Sequence, residues 1–395
     1  MNLSSDQKII LYLSIIGFFA IFSTTLSKNP VLPLYSSSLG ANDALIGLIS
    51  AVSPFAGILL SFPVGVLSDH FGRKRLLMIA GGVFLLAPLF YIFIADPLLL
   101  IPVRFFHGMA TAILGPVVTA FIVERYSETK GERIGQYSAA TLYGRTLAPL
   151  VGGFLISLFV MIPGNFRYHS VYLVAFFAGL IVFVLILKLD NEESEPIKKL
   201  PVSLFIKSLQ IFWADYRLRA TAFVDMAVYF IFGAFETFLP VYLIQRGVDA
   251  YIIGAIFAVQ VISIAITKPF FGKMADKRDP RNQIVIGILL LGVPVSFIPF
   301  FSSLPALFII SLISGLGMSF STVATTKYMG DIAKKEEIGA SMGAMSSIMD
   351  IGHSSGPLVT GILITLSGFI LGFSCSILIA GCAAVYFWMA TRPAL

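Results

Sequence analysis

The feature that most constrains this chain is a succession of long apolar segments separated by short polar connections. They lie near residues 8–36, 43–68, 76–95, 98–123, 134–162, 170–188, 219–245, 250–275, 283–301, 304–329, 338–367 and 369–390. A helix that crosses a bilayer needs about 20 apolar residues, and each segment provides close to that number or more. The pattern therefore predicts an all-α polytopic membrane protein with twelve transmembrane helices.

The low charge content agrees with this prediction. Charged residues make up 12% of the chain and hydrophobic residues 57%, whereas a soluble domain carries about 25% charged residues. Twelve spans with short connections use most of the 395 residues, which leaves little for a domain outside the membrane. We expect no cleavable signal peptide, because residues 1–8 are polar and the apolar run after them is too long for an h-region.

Basic residues fall mainly in alternate connections, and this predicts the orientation of the chain. Clusters follow the even-numbered spans, such as Arg73, Lys74 and Arg75 after the second, whereas the other connections hold few, with Arg167 and Arg246 as exceptions. Basic loops stay in the cytoplasm, so both termini and the long 188–218 loop are predicted to be cytoplasmic. The protein itself is predicted to lie in the cell membrane. The net charge of +6 then reflects topology, and we expect no nucleic-acid partner.

The two cysteines indicate neither a disulfide nor a metal site. Cys375 and Cys382 are seven residues apart in the last apolar segment, which places them on one helix face but too far apart in rise to bridge. No metal-ligand cluster, nucleophile elbow or phosphate-binding loop is found, so we expect no cofactor and no enzymatic activity.

The two halves of the chain are related. A shift of 207 residues superposes Pro33 on Pro240 and Tyr35 on Tyr242, and a shift of 208 superposes Gly144 on Gly352 as well as Pro-Leu-Val at 149–151 on the same tripeptide at 357–359. Six spans per half give both halves the same orientation, the plan of transporters that rock two bundles about a midplane site. We therefore predict two pseudo-symmetric six-helix bundles at 1–189 and 219–395, joined by a cytoplasmic linker at 190–218.

One motif identifies a family. Residues 65–74 read Gly-Val-Leu-Ser-Asp-His-Phe-Gly-Arg-Lys, which closely resembles the signature loop Gly-x-Leu-x-Asp-Arg-x-Gly-Arg-Lys of the major facilitator superfamily. His70 replaces the usual arginine, and a weaker copy follows in the second half at 272–278. The resemblance implies a cytoplasmic gate that latches the outward-open state. The gate residues are Gly65, Asp69, Gly72, Arg73 and Lys74.

Proline and glycine motifs in four spans resemble those of the twelve-helix drug:proton antiporters. The fourth span has Arg104-Phe-Phe-His107-Gly where those antiporters have Arg-x-x-Gln-Gly, and the eleventh has Gly-x-x-x-Gly-Pro-Leu at 352–358. Glycines permit close helix contact, and prolines bend helices where neighbours re-satisfy the freed carbonyls. The residues expected to shape the helices in this way are Pro30, Pro33, Pro149, Gly152, Gly153, Gly356 and Pro357.

Ionisable residues inside the spans are the most informative, because a charge at the bilayer centre costs at least about 2.5–3.5 kcal/mol. They are Lys28, Arg104, His107, Arg145, Asp225, Glu236, Lys268, Lys327, Asp350 and His353. All fall on spans that line the central cavity in the family that the chain resembles. The alternatives are snorkelling or a structural ion pair. These suit Asp225 and Lys327 best, because both lie nearest the cytoplasmic ends.

Proton coupling requires a group that titrates near physiological pH, which a carboxylate in an apolar cavity can do. Glu236 and Asp350 are therefore candidates, and His353 shares a helix face with Asp350 and could exchange the proton. Asp225 is a further candidate. By resemblance to the antiporters, Arg104 also takes part in coupling.

The candidate substrate-binding residues carry a surplus of positive charge. They are Lys28, Asn29, His107, Arg145, Lys268 and Lys327. With Arg104, the cavity has five fixed cations against three carboxylates, which favours anionic or zwitterionic cargo. We interpret the chain as a proton-coupled antiporter that exports small organic solutes or drugs by alternating access.

The alternative is an organic-anion or phosphorylated-metabolite carrier, in which arginine forks clamp the anion. A membrane enzyme, a lipid scramblase or a channel fits less well, because no catalytic motif is found and the latch motif and repeat indicate rocking bundles. The expected partners are a small-molecule substrate, protons and the lipid bilayer, and we expect a monomer.

Overall fold

The computed structural model describes residues 5–126, 128–189, 213–333 and 338–392, and at 5, 61–63, 65–71, 130 and 338–343 it describes the backbone alone. This part of the chain is helical and contains no strand. The helices are α1 (Ser5–Leu26), α2 (Val31–Ser38), α3 (Asp43–Phe71), α4 (Arg73–Ile92), α5 (Leu100–Arg125), α6 (Lys130–Leu158), α7 (Phe166–Leu187), α8 (Tyr216–Gln245), α9 (Ala250–Lys277), α10 (Pro280–Phe297), α11 (Leu304–Ile332) and α12 (Ile338–Ala390). Short 3₁₀ turns, Pro97–Leu99 and Ile298–Phe300, precede α5 and follow α10.

The number of membrane crossings agrees with the sequence pattern. Eleven stretches of the described chain are long and apolar enough to span a bilayer, and the last of them contains two crossings. α12 has 53 residues, or about 80 Å at 1.5 Å per residue, against a hydrocarbon core of about 30 Å. Gly368 interrupts it with φ 80° and ψ 175°, a conformation open to glycine. The prediction of twelve spans is confirmed.

The first span is broken, which the apolar pattern alone did not reveal. α1 ends at Leu26 and α2 begins at Val31. Pro30 has no backbone N–H, so the helix cannot continue through it without losing a hydrogen bond. The amides of Lys28 and Asn29 both turn back to the carbonyl of Thr25, at 3.1 and 2.8 Å. Lys28 and Asn29 therefore lie in a break within the span.

The chain forms two compact units. The first comprises Met1–Ala41, Val52–Lys199 and Leu243–Ala255, and the second comprises Asn42–Ala51, Leu200–Tyr242 and Ile256–Leu395. Helices α3, α8 and α9 therefore each contribute to both units. The predicted linker stays a prediction, because residues 190–212 lie outside the described residues.

The sequence repeat recurs as helix packing inside each unit. In the first unit, a Cβ added to Gly144 of α6 would overlap the carbonyl oxygen of Phe18 of α1. In the second, a Cβ added to Gly352 of α12 would overlap that of Met226 of α8. Gly352 lies 208 residues after Gly144, and Met226 lies 208 residues after Phe18. The same glycine-mediated backbone contact is therefore built twice.

A pair of equivalent tyrosines supports the same conclusion. The hydroxyl of Tyr35 donates to the carbonyl of Ile94, just after α4, at 2.8 Å. The hydroxyl of Tyr242 donates to the carbonyl of Pro299, just after α10, at 3.0 Å. Each tyrosine holds the end of the equivalent helix in its own unit, and each is buried where an unbonded hydroxyl would be costly.

Helix α8 is the most enclosed of the described spans. In an apolar stretch of 18 residues within this helix, 83% of the residues are buried. Ionisable side chains on α8 therefore have little contact with water, and the contacts around them decide what they can do.

Candidate functional site

Glycines bring α12 against α8 in the second unit. A Cβ added to Gly352 would overlap the backbone of Met226, and one added to Gly356 would overlap the backbone of Phe230. The two glycines are one helical turn apart, as are the two partners, so the backbones run in contact over a full turn. The predicted Gly-x-x-x-Gly-Pro motif therefore sets the crossing of these helices.

This crossing places His353 of α12 beside Glu236 of α8. The imidazole Nε2 lies 3.2 Å from the carboxylate Oε2, and the two side chains are 20% and 13% exposed. The rings of Tyr229 and Phe232 lie near the imidazole, with ring centroids 6.1 and 5.8 Å away. A carboxylate and an imidazole in contact can bind and release a proton as one unit.

The other two candidate carboxylates of this unit have different surroundings. Asp350 lies one turn before His353 on α12 and is half-buried. Asp225 on α8 is 4% exposed and accepts a hydrogen bond of 2.8 Å from the hydroxyl of Thr325 on α11. Lys268 on α9 is exposed, and its positive charge attracts the carboxylate of Asp225. Sequence reasoning missed Thr325, because a hydroxyl in an apolar helix gives no distinctive signal.

Asp225 and Glu236 share one face of α8. They are eleven positions apart, which corresponds to about three turns, or about 16 Å along the helix. The two carboxylates therefore lie at different depths of the same enclosed span.

A buried polar cluster surrounds Arg104 and His107 of α5 in the first unit. Both are 1% exposed. The two ring nitrogens of His107 lie 3.5 Å from the hydroxyl of Tyr91 and 3.5 Å from that of Thr24, and the ring of Tyr172 stacks on Tyr91 at 4.5 Å. The sequence singled out Arg104 and His107 but not their partners, since tyrosine and threonine are common in these spans.

The guanidinium of Arg104 keeps unused donors. Its Nε and Nη1 atoms form no hydrogen bond within the described part of the chain, and neither does the hydroxyl of Tyr172. Buried donors without acceptors are costly. The cluster is therefore chemically suited to an anionic or carbonyl group.

The remaining substrate-binding candidates are spread over several helices. Arg145 on α6 is exposed, Asn29 is buried and Lys28 is half-buried. On α11, Nζ of Lys327 lies 2.6 Å from both carboxylate oxygens of Asp331, one turn later. This is the structural ion pair considered as the alternative for Lys327, and its role toward substrate stays a prediction.

The signature loop turns at Gly72, which has a φ of 82° and lies between α3 and α4. The next residue, Arg73, is 4% exposed and pairs with Glu124 near the end of α5. Sequence reasoning missed Glu124, whose signal was an acidic residue at the end of the fourth span. Gly65 and Asp69 are described by their helical backbone alone, so the gate stays a prediction.

Pro149 and Gly153 of α6 contact the start of α9 in the first unit. A Cβ added to Gly153 would overlap the carbonyl oxygen of Ala250, and one added to Gly254 would overlap that of Pro149. α6 nevertheless continues as a helix through Pro149. In the second unit, a Cβ added to Gly47 of α3 would overlap the carbonyl oxygen of Pro357 of α12.

At both places a hydroxyl holds the first turn of the packed helix. The hydroxyl of Thr365 accepts a 2.9 Å hydrogen bond from the amide of Ala44 at the start of α3. The hydroxyl of Ser157 accepts one of 3.0 Å from the amide of Tyr251 at the start of α9, and the carboxylate of Asp249 accepts another of 2.7 Å from the same amide. The two arrangements are related by the repeat, and each satisfies an amide that a helix start leaves without an intrahelical partner.

Comparison with known proteins agrees with this geometry. The sequence model described as Major Facilitator Superfamily matches residues 13–264 and 247–395. The bacillibactin exporter of Bacillus subtilis (strain 168) is 27% identical over 364 residues, 88% of this chain and 89% of the exporter. The quinolone resistance protein NorA of Staphylococcus aureus is 25% identical over 374 residues, 91% of this chain and 90% of NorA.

A solved structure shows the same fold. A bacterial homologue of the human lysosomal transporter Spinster superposes with a TM-score of 0.81 at 17% sequence identity, over 98% of this chain and 96% of that one. The likeness spans the whole chain rather than one half of it.

Proposed function

Because the chain belongs to the major facilitator superfamily and is a multi-pass membrane transporter rather than an enzyme, we propose that it exports a small organic solute in exchange for protons. The direction is supported by the relatives, which are named for bacillibactin export and quinolone resistance. The coupling rests on one observation, the contact between Glu236 and His353.

The Glu236–His353 pair provides a physical basis for exchange. With His353 protonated and Glu236 ionised the pair has no net charge, and losing the proton leaves a net negative charge. In a half-buried site that charge has to be compensated, and a cationic group of a solute does this as well as a proton. Proton and solute then compete for one site.

The surplus of cations that the sequence predicts in the spans favours a cargo that also carries an anionic group. A quinolone, which has both an amine and a carboxylate, is a cargo of this kind. We propose that the protein works as a monomer with both termini in the cytoplasm, and that the loop at 65–74 closes the cytoplasmic side.

The second candidate function is an organic-anion carrier without proton exchange. It is supported by the unused guanidinium donors of buried Arg104. An anion bound there would satisfy them without any change at Glu236.

Purified protein in proteoliposomes with an imposed pH gradient tests the proposal. A fluorescent quinolone should accumulate about tenfold per pH unit for one-for-one exchange. Glu236→Gln should still allow downhill flux but lose accumulation, and Glu132→Gln, which replaces an exposed glutamate of α6, should behave as wild type. Full accumulation by Glu236→Gln contradicts the proton-exchange proposal. Transport that ignores pH but requires Arg104 supports the anion carrier.

A further inference from the structure

A small pocket lies where α10 begins and α12 ends in the second unit. It has a volume of about 190 Å³. Its lining residues are Asp279, Arg281, Asn282, Trp388, Thr391 and Arg392. α10 and the last part of α12 are membrane spans, so a pocket at their ends lies at the boundary between membrane and water. The basic loops predict that this boundary is the cytoplasmic one.

Arg281 neutralises the one carboxylate in the pocket and fixes its walls. Its Nε atom lies 2.8 and 3.0 Å from the two carboxylate oxygens of Asp279, and these hydrogen bonds hold the pKa of Asp279 below its ordinary value. Its Nη1 atom donates to the carbonyl of Thr391 at 2.7 Å. The pair therefore adds no net charge, and it ties the end of α12 to the start of α10.

Arg392 supplies the uncompensated positive charge. It is exposed, its guanidinium lies 5.9 Å from the ring centroid of Trp388, and within the described residues no ion pair with a carboxylate is formed. Trp388 is 41% exposed, as expected for an indole at the headgroup level of a membrane. An arginine beside an indole can place its planar fork toward a phosphate.

An apolar stripe leads from the pocket toward the centre of the membrane. Met389, Val385 and Leu378 are 68%, 58% and 68% exposed. Their spacing of four and seven residues places them on one face of α12. A ligand with a charged head in the pocket and an apolar tail would contact this stripe.

We propose that the pocket binds the phosphate of an anionic phospholipid, with the acyl chain along the α12 stripe. Arg392 and the amide of Asn282 contact the phosphate, and Trp388 packs at the level of the glycerol. The volume suffices for a phosphate and a few waters, since a water occupies about 30 Å³. Basic pockets at the cytoplasmic ends of spans suit anionic headgroups in general. The inference concerns the surrounding membrane and does not depend on which solute is transported.

Thermal-shift titrations of the purified full-length protein test the site. The probes are a phosphatidylglycerol, a phosphatidylcholine of the same chains, and inorganic phosphate. Arg392→Gln removes the charge, and its exposed side chain leaves the fold unaffected. Lys188→Gln is the matched control, because Lys188 is an exposed cation at the same predicted side but outside the pocket.

Phosphatidylglycerol should stabilise the wild type and Lys188→Gln at the same half-saturating concentration, and Arg392→Gln should need about fivefold more. Phosphatidylcholine, whose choline cation offsets the phosphate charge, should show a smaller dependence on Arg392, and inorganic phosphate, which has no acyl chain, should show none. Equal phosphatidylglycerol titrations for both variants would overturn the site. An Arg392-dependent shift with inorganic phosphate of the same size would overturn the lipid assignment in favour of a free anion.

Discussion

Replacing Gly352 by alanine perturbs the contact on which the candidate coupling site depends. The added methyl group would overlap the carbonyl oxygen, carbonyl carbon and Cα of Met226. All three are backbone atoms of α8 and cannot rotate away, so the two helices have to separate. Overpacking costs about 1–3 kcal/mol, and a rigid neighbour places this substitution near the upper limit. The better helix propensity of alanine returns about 1 kcal/mol, so we expect a net loss of about 2 kcal/mol.

The functional consequence follows from the neighbouring residue. His353 comes directly after Gly352, and its contact with Glu236 is 3.2 Å long. A displacement of the helices lengthens that contact beyond hydrogen-bonding distance. Gly352→Ala should therefore lose solute accumulation driven by a pH gradient as well as stability.

The assay compares apparent melting temperatures in detergent with pH-driven accumulation in proteoliposomes. Unfolding of such proteins is often irreversible, so the variants are ranked at one scan rate. Gly381→Ala is the matched control, because it lies in the other crossing of α12 and an added Cβ meets nothing within 4 Å. If Gly352→Ala is as stable as Gly381→Ala and still accumulates solute, the reasoning about the α8–α12 contact is wrong.

Three further predictions concern other parts of the chain. Asp69→Asn should slow solute exchange in proteoliposomes by weakening the cytoplasmic latch, and wild-type exchange rates would count against that role. Thr365→Val removes the acceptor of the Ala44 amide, which is worth about 1 kcal/mol. Hydrogen exchange at the start of α3 should rise about fivefold, and unchanged exchange contradicts the capping role. Hydrogen bonds from Arg281 lower the pKa of Asp279. The ionised carboxylate of Asp279 therefore contributes fully to stability above its ordinary pKa near 4. This contribution is lost as the pH falls through the lowered pKa of the folded state. Asp279→Asn should therefore lose less thermal stability than the wild type below pH ~4, and an identical pH profile contradicts this.

The spans and the repeat could be predicted from the sequence because the membrane leaves the backbone few choices. A segment in hydrocarbon has to satisfy its own hydrogen bonds, so a long apolar run becomes a helix. The turn at Gly368 was predictable for the same reason, since no other polar break separates the last two spans. The equivalence of Gly144 and Gly352 was visible in the repeat, but the helices that these glycines contact were not.

The partners of the buried charges could not be predicted in the same way. Spacing along α12 indicated that Asp350 and His353 share a helix face, but it gave no sign that Glu236, 117 residues earlier, contacts His353. That contact depends on the crossing of two helices, which a pattern along one helix does not contain. The sequence predicted a bend at Pro30 but not the complete break between α1 and α2, because long apolar runs on both sides of 27–30 make one span of the whole segment.

Proton movement driven by solute tests the central claim most directly. Wild-type proteoliposomes contain a pH-sensitive dye and start with equal pH on both sides, and a quinolone is added outside. If solute entry is exchanged for protons, the lumen should become alkaline as the solute enters, and Glu236→Gln should show solute entry without this change. A lumen whose pH stays constant or falls while the wild type takes up the quinolone would contradict proton antiport.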